Sequence, residues 1–157
     1  VSRGDLLLDS NLLLLLLVGT YDPNLIGAFK RVADYDAQDY DILAAYARGF
    51  ENLVATPHIL TEVSNLANSL PQHIKPDWFG HFFRLIVQMD ERQLSAAGLA
   101  GLPEFPIFGL TDAALCYLAD TVVVVTADGR LCSHLQRRGL QAIGFDEVRT
   151  HYRQTAK

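Results

Sequence analysis

The chain has 157 residues, half of them apolar and a fifth charged, and a net charge of −5. That balance specifies one soluble globular domain with a real core, without the basic excess of an electrostatic nucleic-acid binder, although clustered carboxylates can mask a local basic strip. Two cysteines, Cys116 and Cys132, are too few for a disulfide framework and lack metal-ligand spacing, so free thiols in a reducing cytoplasm are expected. The opening "VSRGD" does not read as a secretory leader, and the leucine run that follows is too short to span a bilayer.

In chain order, "LLLD" (6–9) reads as a buried strand, and a helix opens after Ser10 or Asn11. Residues 20–41 are rich in aspartate and begin a helical excursion around 20–50. Within it, Leu43, Tyr46, Ala47 and Phe50 fall at i, i+3, i+4 and i+7, which predicts a helix over 37–50 with Asp36 as its N-cap. "NLVAT" (52–56) is a second strand. Thr56 and Pro57 then start a helix over 57–70, with Ile59, Val63, Leu66 and Leu70 on its buried face.

A second excursion, around 71–92, contains a helix over 77–89 striped by Trp78, Phe82, Leu85, Ile86 and Met89. "QLSAA" (93–97) is a weak extra strand. Residues 111–119 are helical. "VVVVT" (122–126) is the clearest strand, apolar on both faces as in the middle of a parallel sheet. A helix over 129–138 ends at Gly139, a natural C′ residue, and "LQAIGF" (140–145) is a weaker last strand. Strands alternating with helices predict a single three-layer α/β domain over 1–157, with a mostly parallel sheet.

Four acids stand out against this frame. Asp9 ends a strand at the carboxyl edge, where open α/β sheets hold their ligands. Asp128 follows "VVVVT" by two residues, Asp112 lies in a first helical turn, and Glu62 borders the apolar face of the helix after the second strand. Each has a structural reading. Asp9 and Asp128 serve as N-caps, Asp112 suits a helix dipole, and Glu62 is a solvated surface residue. Together they would crowd negative charge into one crevice, which a fold tolerates when a cation neutralises it, and all-oxygen ligation suits Mg²⁺ or Mn²⁺. On this view Asp9→Asn should relieve repulsion and stabilise the metal-free protein.

The segments "LLLDSNLLL", "TPHILTEVSNL", "LTDAAL" and "VVVVTADGRL" resemble the four acidic motifs of PIN-domain nucleases, in the same chain order. The likeness runs from Asp5 to about Val148, with Ser10 in place of the commoner threonine. It implies a sheet of order 3-2-1-4-5 and a metal-dependent endoribonuclease. Asp9, Glu62, Asp112 and Asp128 would be the catalytic, metal-holding quartet, and Asn11 and Thr126 the polar companions that orient them. Many PIN domains are VapC-type toxins, so an antitoxin partner, a homodimer or a defence-effector role is implied beside the RNA substrate, in the cytoplasm and away from membranes. The two excursions make the chain longer than a minimal toxin.

The chemistry suits these residue types. Phosphodiester cleavage needs an activated water and charge stabilisation, which metal ions supply and carboxylates hold in place. Arg130, Arg137 and Arg138 could contact RNA phosphates near the crevice, or form a solvated helix face. His58, four residues before Glu62, reads as a helix-surface partner of that acid. Trp78, Phe79, Phe82 and Phe83 read as core or an interaction face. Two other classes compete. One is a catalytically silent PIN-like RNA-binding or interaction module. The other is a haloacid-dehalogenase-like phosphatase, in which Asn11 stands where that family wants a second aspartate.

Overall fold

The computed structural model describes residues 3–156. Residues 1, 2 and 157, which the single-domain expectation includes, lie outside them. Strand β1 (Asp5–Leu8) leads into α1 (Ser10–Tyr21), two 3-10 turns (Pro23–Leu25 and Lys30–Val32) and α2 (Ala37–Ala47). Then come β2 (Asn52–Ala55), α3 (Pro57–Ala67), α4 (Lys75–Ile86) and β3 (Asp90–Glu91). Helices α5 (Ala96–Ala100), α6 (Phe105–Phe108) and α7 (Leu110–Leu118) precede β4 (Val123–Thr126). The chain closes with α8 (Gly129–Arg137), β5 (Ala142–Gly144) and α9 (Phe145–Thr155).

The five strands form one all-parallel sheet in the order β3-β2-β1-β4-β5. Successive side chains of a strand point to opposite faces. Leu6, Leu7 and Leu8 are each at most 1% exposed, so helices cover both faces of the central strand and the domain has three layers. The leucine run forms the middle of α1, and Leu12, Leu13, Leu14, Leu15, Leu17 and Val18 are all buried, as in a helix enclosed by its neighbours. Gly19 lets α1 approach α2, because a Cβ there would lie 2.1 Å from the Tyr40 ring.

The helix starts follow the expected caps. Asp36 caps α2 and shares a reciprocal capping box with Asp39. Thr56 caps α3, and Gly139 takes a φ of 74° just past α8. The ends differ. Phe50 lies beyond α2, and Leu70 lies beyond α3 yet stays buried. Trp78 and Phe82 join the core, whereas Phe83 is exposed.

The strand expected at 93–97 does not form. Ser95 instead caps α5, accepting a hydrogen bond from Gly98 N at 3.3 Å. The third strand is two residues long, and polar groups tie it in place. Arg92 donates to Asp90 at 2.8 Å and to Asp5 at 3.1 Å, and its backbone N–H reaches Ala55 O. Helix α9 is a further element the periodicity did not mark. It buries only Phe145 and Val148, and Arg149 and Arg153 bind it to the buried Asp39 of α2.

Candidate functional site

In the order β3-β2-β1-β4-β5 the chain leaves β1 toward one edge and returns to β4 on its other side. The crevice between the carboxyl ends of β1 and β4 is therefore the topological switch point, where open α/β sheets bind ligands. Leu8 pairs with Val125, so Asp9 and Thr126 leave the sheet side by side.

Asp9 is 8% exposed, and the fold holds both of its carboxylate oxygens. Oδ1 accepts from Leu12 N at 2.9 Å, capping α1. Oδ2 accepts from the Thr126 hydroxyl at 2.6 Å and from Ala127 N at 2.7 Å. Burial pushes this carboxyl up, the three hydrogen bonds pull it down, and the charge of Asp128 pushes it up again. The balance lies above the ordinary value. The three donors aimed at this carboxylate oppose the relief expected of Asp9→Asn, since an amide can present only one oxygen to them.

Thr126 Oγ1 also accepts from Asp128 N at 3.0 Å, so one hydroxyl links both aspartates. Asp128 caps α8, its Oδ1 accepting from Arg130 N at 2.8 Å and Leu131 N at 3.2 Å. Both capping readings thus hold, and they fix the two carboxylates at the crevice.

Asp112, in the first turn of α7, is half-buried, and Glu62 on α3 is exposed. Among the described residues nothing in the protein donates a hydrogen bond to either carboxylate. Burial, followed by the charges of Asp9, Glu62 and Asp128, pushes the Asp112 carboxyl up to about 7. The fold therefore brings the other three predicted acids within electrostatic reach of Asp112, and Asp128 within reach of Asp9. The cluster is open, however. Among the described residues no three of these acids bring their oxygens within 4.8 Å of one another, as expected of like charges without a counter-ion.

The other predicted residues divide. Asn11 is exposed on α1, and its side chain has no partner among the described residues. His58 does not pair with Glu62, and its Nδ1 is buried without a hydrogen bond. The Arg130 guanidinium lies over the Phe108 ring, 5.8 Å from its centroid. Arg130, Arg137, Phe108 and Ser133 line one open cavity along α8. Arg138 is committed elsewhere, donating to the buried Glu104 at 2.5 Å, and His134 meets the same oxygen at 3.1 Å.

Two features escaped the sequence. Tyr35 sits near Asp9, and burial followed by that charge pushes its phenol up to about 12. It lines a pocket of about 280 Å³ with Thr126, Ala127 and Arg149. Its only sequence signal was the surrounding aspartate-rich stretch. The second feature is Glu104, Cys116 and His134, the one group among the described residues with three donor atoms all within 4.8 Å. Their separation in sequence hid it.

Among the described residues no helix is long and apolar enough to cross a membrane. No protein-family model and no curated protein matches the chain.

Proposed function

We propose that this protein is a metal-dependent endoribonuclease of the PIN-like type, working in the cytoplasm through Asp9, Glu62, Asp112 and Asp128. The observation that carries the reading is the Asp112 carboxyl, raised to about 7 by burial and by three neighbouring carboxylates at the switch point. A scaffold without a ligand gains nothing from keeping that repulsion. The donor set fits Mg²⁺ or Mn²⁺, because every group is a carboxylate oxygen and two of the four have no hydrogen-bond donor among the described residues.

When bound, a divalent ion supplies an acidified water and positive charge against the attacked phosphate. The chain's own residues prepare for this. Thr126, Leu12 N and Ala127 N fix Asp9 before any ligand arrives, and the α8 N-terminus fixes Asp128. Asp112 and Glu62 stay unpaired and adjust to what enters. Arg130 and Arg137 line a separate open cavity along α8, which begins next to Asp128 in the chain, and would bind RNA phosphates. Arg138 is held by Glu104 and has a structural role instead. A toxin or defence role would add a protein antitoxin or a second copy of the chain. Phe83 and Val87, 65% and 64% exposed near the end of α4, are the apolar surface such a partner would cover.

The test is cleavage of a mixed RNA pool by the pure protein, with Mn²⁺ or EDTA, followed by sequencing of the new ends. Cleavage should require metal, and Asp112→Asn and Asp128→Asn should each lower it by about 100-fold or more. Full activity in both variants would defeat the assignment. Absence of cleavage together with turnover of an aryl phosphate would indicate a phosphatase.

A further inference from the structure

We propose that Glu104, Cys116 and His134 form a second cation site, for a borderline-soft transition ion of the Zn²⁺ kind, separate from the acidic crevice. Glu104 stands just before α6, Cys116 lies on α7 and His134 on α8. Three elements far apart in sequence thus converge one oxygen, one sulfur and one nitrogen donor, all within 4.8 Å of one another. Tetrahedral zinc bonds of the usual lengths put ligand atoms roughly 3.5 Å apart, so closing the group needs shifts of only about 1 Å. The His134–Glu104 edge is already 3.1 Å long.

The donor chemistry selects the ion. A thiol and an imidazole beside a single carboxylate suit zinc or cobalt and disfavour Mg²⁺ and Ca²⁺, which want oxygen alone. Three protein ligands leave a fourth position for water. A cavity of about 450 Å³ opens beside the group and provides room and an entry path. The Phe108 ring packs 5.3 Å from the His134 ring and orients it.

An ion-pair tie accounts for Glu104, which both His134 and Arg138 meet, and core packing accounts for the burial of Cys116, but neither requires its sulfur to converge with those two donors. Arg138 lies at the rim, 46% exposed, and can turn to solvent when an ion takes its place. Loading breaks the Cys116 S–H bond and forms a metal–sulfur bond, and the proton passes to buffer.

The untagged, metal-free full chain should be titrated with Co²⁺ and followed in the near ultraviolet, where only a thiolate ligand gives a sulfur-to-cobalt charge-transfer band. Carboxylate binding in the acidic crevice is silent there. One equivalent should produce the band, and Zn²⁺ should erase it. Cys116→Ser should abolish it and His134→Ala should weaken cobalt binding at least tenfold, whereas Cys132→Ser and Asp9→Asn should keep it. No band from the wild type at millimolar cobalt would overturn the site and leave only the ion-pair tie. A band lost in Cys132→Ser or kept in Cys116→Ser would overturn it equally, and the Cys132→Ser arm decides even where Cys116→Ser fails to fold.

Discussion

Asp112 offers a test of the crevice that needs no substrate. Its carboxyl rises from 3.8 to about 7 on folding, so the native chain holds this proton more tightly than the unfolded chain. Stability from this group is complete below about pH 4, falls as pH rises between 4 and 7, and stays lower above that window. The ceiling is about 4 kcal/mol, at 1.36 kcal/mol per pH unit of difference. Asp112 is only half-buried, and solvent screening brings the expected effect down to about 1–2 kcal/mol. Asp112→Asn keeps the shape and removes the charge. In EDTA at pH 7.5 it should melt about 2–8 °C above the wild type, at 2–4 °C per kcal/mol for a domain of this size. The gap should close as pH falls toward 4. Adding Mn²⁺ should stabilise the wild type by mass action and the variant much less, narrowing the gap at pH 7.5. Calorimetric melts across pH, with and without metal, measure all of this. Equal melting points for the two proteins at pH 7.5 in EDTA would refute the crowding of the four acids.

Asp9→Asn should act the other way and destabilise the protein by about 1–3 kcal/mol in urea melts, because an amide group would face one of three donors. Replacing Arg130 and Arg137 with alanine should weaken RNA binding across sequences and flatten its salt dependence, whereas Arg138→Ala should lower the melting temperature with little change in the salt slope. Gly19→Ala should cost about 1–3 kcal/mol in the same urea assay, since the Tyr40 ring occupies the space its methyl needs.

The parallel core was legible because its strands and caps carry their reasons locally. Leu6–Leu8 and Val122–Val125 are apolar on both faces, and Asp36, Thr56 and Gly139 mark helix ends by chemistry that needs no tertiary partner. The misses were elements held by distant partners. Strand β3 has two residues, both acidic, and the pairing of Arg92 with Asp90 and Asp5 leaves no hydrophobic pattern to read. Helix α9 is mostly polar and docks through Arg149 and Arg153 on Asp39, more than a hundred residues earlier. The Glu104, Cys116 and His134 group belongs to the same class, since no spacing rule connects its members.

The acids themselves were legible by position but not by environment. Asp9 in a run of leucines looks like an electrostatic burden that only a cation could relieve. Its surroundings divide that burden differently. Leu12 N, Ala127 N and the Thr126 hydroxyl stabilise its charge from within the fold, and the start of α8 does the same for Asp128. These two carboxylates are rigid before any ligand arrives, so they can set the geometry of a site. Among the described residues Asp112 and Glu62 lack such donors, and burial, with the repulsion of the other acids added to it, falls on Asp112. A cation entering the crevice would therefore gain most from Asp112, by stabilising its ionised form, and would owe its position to Asp9 and Asp128. Substitutions should separate accordingly. Loss of charge at Asp112 would weaken metal binding while stabilising the empty fold, whereas loss of charge at Asp9 would weaken both.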